Sequence, residues 1–239
     1  MVSLKKTPAH SLRVLARLLG YPDAALRALL PELAAALHAE GALSARRLQG
    51  LDALIRHLGQ ADSLDVETDY VELFDRGRAT SLSLFEHVHG DSRDRGQAMV
   101  DLLQTYEQGG LYLDPSDANR ELPDHLPVVL EFVSTLPPAQ AHGFIDEVAH
   151  ILQALHTALS RRHSPYAHAV AAALELGGQT PHAVEVPEDE ALDASWAEPE
   201  AFAGCTSKGQ QRPDQPQTIQ IVRRGTPPAG TQPSRGAAA

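Results

Sequence analysis

The chain has 239 residues, 43% of them hydrophobic, and a formal net charge of −11. This composition supports a packed core, and the acidic surplus argues against a nucleic-acid-binding protein, which needs clustered positive charge. A single cysteine, Cys205, excludes an intrachain disulfide. Because no apolar stretch is long enough to span a bilayer and the start lacks a signal-peptide pattern, we expect a cytoplasmic protein that does not insert into membranes.

Charge and proline are unevenly distributed. Residues 1–162 hold 15 basic and 22 acidic residues, residues 163–207 hold eight acids and no base, and residues 208–239 hold five bases and one acid. Eight of the 17 prolines follow Gly178. We therefore predict an all-helical domain over residues 1–178 and a disordered Pro/Gly-rich tail, acidic and then basic, over residues 179–239.

The first four predicted helices are marked by start signals ahead of apolar stripes. Residues that commonly cap or open helices stand at the four starts: Thr7-Pro8, Asp23, Ser44 and Asp62. We expect Pro31 to kink or break the second helix, and the fourth helix to end near Asp75.

Further helices are predicted in the second half of the body. One runs from Ser92 to Gln108, the next begins at Pro123, a long one spans residues 145–159, and the last begins at Ser164-Pro165. Residues 218–222 read as a strand, but one isolated strand does not make a sheet. The prediction is an all-α bundle of seven to nine helices.

Signals for catalysis are weak. The phosphate-loop, dinucleotide-binding and hydrolase motifs are absent from the sequence, and Cys205 has no evident base beside it. His87 and His89 could chelate a metal if they lie in an extended loop, since residues two apart then point to the same side. We predict a protein that is not an enzyme and has no cofactor or metal; a metal-dependent helical hydrolase using His87 and His89 is an alternative.

Two segments differ from the rest of the bundle. Residues 69–103 contain Phe74 and Phe85 with four arginines among acids, and residues 121–137 contain Asp124 and His125 at a predicted helix start. These features also fit plain structural roles, with aromatic residues in the core, arginines paired with acids and Asp124 at a helix terminus.

The same two segments carry a resemblance. LFDRGRATSLSLFEHVHGDSRDRGQAMVDLL and ELPDHLPVVLEFVSTLP closely resemble the NarJ-type nitrate reductase assembly chaperones, within the TorD/DmsD/NarJ redox-enzyme maturation family. The opening RVLARLLGYPDAAL and the tail segment DASWAEPEAFAGC are also similar to this family. The Pro-rich end after Lys208 is its least typical part.

The resemblance implies an all-helical cytoplasmic chaperone for the apo catalytic subunit of respiratory nitrate reductase. Such a protein binds the N-terminal segment of that subunit, permits insertion of the molybdenum cofactor, delays membrane docking and is not part of the final enzyme. Molybdenum-cofactor biosynthesis proteins are further candidate partners. Carried over to this sequence, the client-peptide-binding region comprises Leu73, Phe74, Asp124, His125, Glu131 and Phe132.

The residues themselves are compatible with that role. A client helix could lie in a groove walled by Phe74, Phe85 and Phe132, and the acidic body would favour a client segment that carries Lys or Arg. The histidine beside an acid at Asp124-His125 could make affinity depend on pH near neutrality. Phe132 could instead be plain core, and a generic helical adaptor would share all these features.

Overall fold

The computed structural model describes residues 8–89, 94–114 and 121–186. These residues form nine α-helices and one short 3₁₀ helix, Arg78–Thr80. The α-helices are α1 (Ala9–Leu18), α2 (Ala24–Glu40), α3 (Ala45–Gln60), α4 (Ser63–Phe74), α5 (Leu84–His89), α6 (Asp94–Gln108), α7 (Leu126–Thr135), α8 (Pro138–Arg161) and α9 (Ala167–Leu176). The all-α prediction is confirmed, and the helices of the described residues number within the predicted range.

Three of the four predicted start signals act as side-chain helix caps, whereas α1 begins after Pro8, which makes no such bond. The side chains of Asp23, Ser44 and Asp62 accept hydrogen bonds from Leu26 N, Arg47 N and Leu64 N respectively, at 2.7, 3.4 and 2.9 Å. Each bond satisfies a backbone donor that the first helical turn leaves unpaired. Helix α2 continues through Pro31 instead of ending there.

The core lies where α1 and α9 meet the other helices. Helix α1 packs most extensively against α7, and α8 against α9. Eight of the ten residues of α9 are buried, because this Ala-rich helix is apolar on nearly every face. At its end Gly177 has no room for a Cβ, since Ile145 of α8 occupies that space.

Residues 179–186, the first part of the predicted tail, lie along α8. The Gln153 side chain donates to Thr180 O and accepts from His182 N, both at 3.0 Å. Thr157 Oγ1 accepts from Val184 N at 3.1 Å, and Arg161 donates to Val186 O at 3.1 Å. We call residues 179–186 the strap. The rest of the predicted tail, including the residue 218–222 strand and Cys205, lies outside the described residues.

Three expectations about local structure were wrong. The helix predicted from Pro123 begins at Leu126, because the residues before it pair with another segment. The predicted link before α6 contains helix α5. His87 and His89 therefore lie in a helix and not in an extended loop, and side chains two residues apart on a helix point in directions about 200° apart.

Within the described part of the chain, none of the helices has both the length and the apolar character needed to cross a membrane.

Candidate functional site

A tight turn follows α4 and shapes one wall of the site. The Thr80 hydroxyl, in the 3₁₀ helix, donates to Leu73 O and lies 3.1 Å from Gly77 O. A Cβ on Gly77 would collide with Thr80 Oγ1 and Leu73 O, so the turn requires glycine. Arg162, at the end of α8, donates to Thr80 Oγ1 at 2.6 Å and fixes the turn to the bundle.

The two sequence motifs meet just after this turn. Ser83 and His125 form an antiparallel bridge, with Leu84 N donating to Asp124 O at 3.0 Å and Leu126 N donating to Leu82 O at 2.9 Å. We call this pairing the bridge. Two segments about 40 residues apart in the chain thereby become one continuous wall.

Asp124 stabilises the bridge from behind. Its side chain is fully buried, and Oδ2 accepts from Phe85 N at 3.0 Å, in the first turn of α5. Arg95 of α6 lies 3.8 Å from the same oxygen. Burial raises the pKa of the Asp124 carboxyl, and the Phe85 N–H and Arg95 oppose that shift. Asp124 therefore orders the wall and does not face solvent.

The wall encloses a cleft of two adjoining depressions that share Phe74, Asp75, Ser81 and Ser83. The first, of about 450 Å³, is completed by the charged residues Arg76, Arg78 and Glu86. The second, of about 530 Å³, is completed by Tyr21, Asp23, Tyr70, Leu82, Glu121 and His125. Both volumes lie in the range of about 300–1,000 Å³ that is usual for ligand pockets.

Aromatic rings form the floor of the second depression. Tyr21 and Tyr70 meet edge to face with centroids 5.6 Å apart, and Tyr70 and Phe74 lie 4.8 Å apart. The Tyr70 hydroxyl donates to Leu19 O at 2.9 Å, which anchors the buried ring. Tyr21 is 48% exposed, so its face is available to a ligand. Sequence reasoning missed both tyrosines, although Tyr21 lies in the opening LLGYPD segment that carries the family resemblance.

The second depression is electrostatically negative. Burial, and the neighbouring Asp75 carboxylate, raise the pKa of Glu121. His125 brings no compensating charge near neutrality, because burial lowers its pKa to about 4. Carboxylates beside the exposed ring of Tyr21 suit a Lys or Arg side chain, through ion pairing and cation–π contact.

The sequence of the chain matches a known protein family. The family model described as nitrate reductase delta subunit matches residues 21–172. The chain belongs to this family. It is 45% identical over 206 residues to the nitrate reductase molybdenum cofactor assembly chaperone NarJ of Escherichia coli K12, covering 80% of this chain and 86% of that protein.

Two further relatives agree. The probable nitrate reductase molybdenum cofactor assembly chaperone NarW of Escherichia coli K12 is 40% identical, covering 78% of this chain and 80% of the relative. The probable chaperone NarJ of Bacillus subtilis 168 is 32% identical, covering 66% and 84%. The resemblance seen in the two motifs is confirmed. Because these relatives are named as assembly chaperones and not as catalysts, the expectation of a non-enzyme is also supported.

The structure divides the seven predicted client-binding residues of this family member into three groups. Phe74 and His125 line the cleft. Leu73, Phe85 and Asp124 lie behind or beside its wall, with Phe85 packed against the core and its ring 5.8 Å from that of His89. Glu131 and Phe132 line neither depression: Glu131 is exposed on α7, whereas Phe132 is 1% exposed.

The environment of Phe132 favours the core alternative. Its ring packs 4.6 Å from Tyr106 and 5.6 Å from Phe144, between α6 and α8. Gly109 lies against the same ring, where a Cβ would come within 2.5 Å of Phe132 Cε2. We therefore do not place Phe132 in the wall of the cleft.

The described residues also bear on the metal hypothesis. Among them, no group of three or more His, Cys, Asp or Glu side chains is placed to hold a metal ion. His87 Nε2 lies 2.9 Å from Ser81 O, and His89 packs on Phe85, so the two imidazoles face different neighbours. Asp91, a neighbouring carboxylate in the sequence that such a metal site could use, lies outside the described residues.

Proposed function

We propose that this protein is a dedicated chaperone for the apo catalytic subunit of nitrate reductase. It binds the N-terminal segment of that subunit in the cytoplasm, keeps the subunit accessible for molybdenum cofactor insertion, and delays its docking to the membrane. The observation that carries the proposal is the meeting of both family motifs in one aromatic and acidic cleft. Proteins of molybdenum-cofactor biosynthesis are further candidate partners.

The cleft suits an amphipathic client helix that carries a basic residue. Apolar side chains of the client would pack on Phe74 and Tyr70, as in helix-in-groove recognition. A client Lys or Arg would pair with Asp75 and Glu121 and lie over Tyr21. The exposed ring of Tyr21 would supply most of the apolar contact, because Tyr70 and Phe74 are only 6% and 5% exposed, and the charge pairs would fix register and orientation.

Calorimetry with a synthetic peptide tests the proposal. The peptide copies the first ~15 residues of the catalytic subunit, about four helical turns, and a scrambled peptide of equal composition is the control. We expect saturable binding of the first peptide alone. A generic adaptor would instead bind the folded, cofactor-loaded subunit and ignore the peptide, which would overturn the proposal.

A matched pair of tyrosine variants locates the binding surface. Tyr21→Ala removes an aromatic residue of the cleft, whereas Tyr112→Ala removes a 74% exposed tyrosine that does not line it. We expect Tyr21→Ala to weaken peptide binding by about 1–2 kcal/mol, the usual loss for an aromatic anchor, and Tyr112→Ala to leave it unchanged. Equal losses in both variants would exclude the cleft as the peptide site.

In cells, deletion of the protein should leave the catalytic subunit synthesised but deficient in molybdenum cofactor. Metal analysis of the purified subunit measures this directly. Normal cofactor content in a deletion strain that has no paralogue would contradict the chaperone role.

A further inference from the structure

Arg95 connects the cleft to the buried carboxylate behind it. Its guanidinium donates to Glu86 Oε1 at 3.3 Å and lies 3.8 Å from Asp124 Oδ2. Glu86 lines the first depression, whereas Asp124 is fully buried under the bridge. The Arg95 side chain is itself only 20% exposed. The Arg95 guanidinium thus lies close to one carboxylate on each side of the cleft wall, Glu86 and Asp124.

The Asp124 carboxylate depends on this cation. Within the described residues its Oδ1 has no hydrogen-bond partner, and Arg95 Nε, also buried, has none either. The other groups that stabilise the carboxylate are the backbone N–H of Phe85 and that of Asp124 itself. A buried charge without compensation is strongly destabilising, so loss of Arg95 would leave the ionised Asp124 costly in its present position.

A shift of Asp124 that relieves this destabilisation would disturb the bridge. Asp124 accepts from Leu84 N through its carbonyl and from Phe85 N through its carboxylate, so any shift of Asp124 moves residues 82–85. The adjoining Leu82, Ser83 and His125 line the cleft. A displaced Asp124 therefore alters the wall that contacts the client.

We infer that Arg95 is a positioning residue for client binding: held between Glu86 and Asp124, it fixes the bridge that forms the cleft wall. The inference rests on the proposed function. Neither Arg95 nor Asp124 contacts the client; both act through the bridge and the residues that line the cleft.

Rescue of a charge-removing variant by a second substitution tests this role. Arg95→Met leaves Asp124 uncompensated, and we expect roughly a tenfold loss of affinity for the N-terminal peptide, a typical coupling for residues in one network. Arg95→Met combined with Asp124→Asn removes both charges and keeps an acceptor for Phe85 N, so affinity should recover to near the wild-type value. Arg95→Lys should lie between. The matched control is Arg56→Met, which removes an exposed arginine of α3.

Amide hydrogen exchange supplies a readout that does not need the client. In Arg95→Met the amides of Leu84, Phe85 and Leu126 should exchange faster than in wild type, whereas the exchange rate of the Val170 amide in α9 should not change. The double variant should restore the wild-type rates. Uniform acceleration of all four amides, or no rescue of peptide affinity by the double variant, would overturn the inference. Failure of the wild-type protein to bind the peptide would refute the proposed function alone, because the exchange measurement still decides whether Arg95 positions the bridge.

Discussion

Burial decides the protonation state of His125. Its side chain is 13% exposed, and burial lowers its pKa to about 4 although Asp124 and Asp75 act in the opposite direction. The imidazole is therefore neutral between pH 6 and 8. The sequence suggested a histidine that makes affinity depend on pH near neutrality; the structure instead shifts its titration to more acidic conditions.

This shift predicts a stability effect with a definite sign. Below pH 6.5 the unfolded chain protonates His125, whereas the folded protein does so only near pH 4, so the free energy of unfolding falls as pH falls through that window. The slope from one such group is at most about 1.4 kcal/mol per pH unit. Between pH 6.5 and 4 the unfolding free energy of His125→Gln should fall less than that of wild type, which denaturation at several pH values measures. Parallel profiles for wild type and His125→Gln would contradict the prediction.

Phe132 is predicted to act through stability. Truncation of a buried phenylalanine removes apolar contacts and leaves a cavity, so Phe132→Ala should lower the free energy of unfolding by about 3–5 kcal/mol. Affinity of the folded fraction for the N-terminal peptide should change little. Tyr21→Ala should show the reverse pattern, with weaker binding and near-normal stability. Urea denaturation and calorimetry on both variants separate the two roles. Weaker peptide binding by a Phe132→Ala variant of wild-type stability would instead indicate that Phe132 contacts the client.

At the level of elements, local signals predicted what local interactions determine. Helices α2, α3 and α4 begin at Asp23, Ser44 and Asp62 because each cap bonds within its own first turn. Helix α5 is different because it is only six residues long. In its first turn Phe85 N donates a hydrogen bond to the side chain of Asp124, 39 residues away. The late start of α7 has the same cause, since the residues before Leu126 pair with Leu82 and Leu84. No local pattern encodes either contact.

The strap illustrates how two periodicities can match. Alternate strap residues bond to every fourth residue of α8, because two extended residues advance about 6.6 Å and four helical residues about 6.0 Å. Gln153 and Thr157, both nearly fully buried, satisfy their polar groups on the strap. Pro-rich composition after Gly178 suggested a boundary there, and these contacts favour one no earlier than Val186.

Truncation tests this boundary. A chain ending at Val186 should keep the unfolding free energy of the full protein. A chain ending at Gly178 should lose about 1–3 kcal/mol, because the hydrogen bonds of Gln153 and Thr157 to the strap are lost, each contributing about 0.5–1.5 kcal/mol. Thermal unfolding followed by circular dichroism measures both. Identical melting of the two truncated chains would show that the strap adds nothing to the stability of the bundle.

For the whole molecule, the family was predictable and the architecture of its site only in part. The two motifs could be recognised as special because aromatic, acidic and arginine residues cluster in them, and both contribute to the cleft. Tyr21 and Asp23 come from the α1–α2 connection, and only the folded bundle brings them beside Asp75 and His125. Phe132 was predicted for the groove, and its ring packs against Tyr106 and Phe144, because an aromatic residue in a motif can serve the core as readily as a groove.

The negative charge of the protein should speed its association with a basic client segment. The protein carries −11, and the second depression concentrates Asp23, Asp75 and Glu121 beside exposed aromatic surface. A client segment with Lys or Arg should therefore associate faster at low salt, where charges act over about 10 Å at 0.1 M, than at 1 M, where they act over about 3 Å. The dissociation rate should respond less, because charges at the rim of a binding surface act mainly on the association rate.

Two double variants of equal net charge separate the effect of the acids in the cleft from the effect of the net charge of the protein. Asp75→Asn with Glu121→Gln removes two charges inside the cleft, whereas Glu32→Gln with Glu147→Gln removes two exposed charges elsewhere. Stopped-flow measurements with the N-terminal peptide should show slower association and a weaker salt dependence for the first pair. The second pair should stay near wild type, because neither acid lines the cleft and salt screens exposed charges away from the binding surface. Equal slowing in both pairs would assign the steering to net charge, and the acids of the cleft would then have no special role in recognising the client.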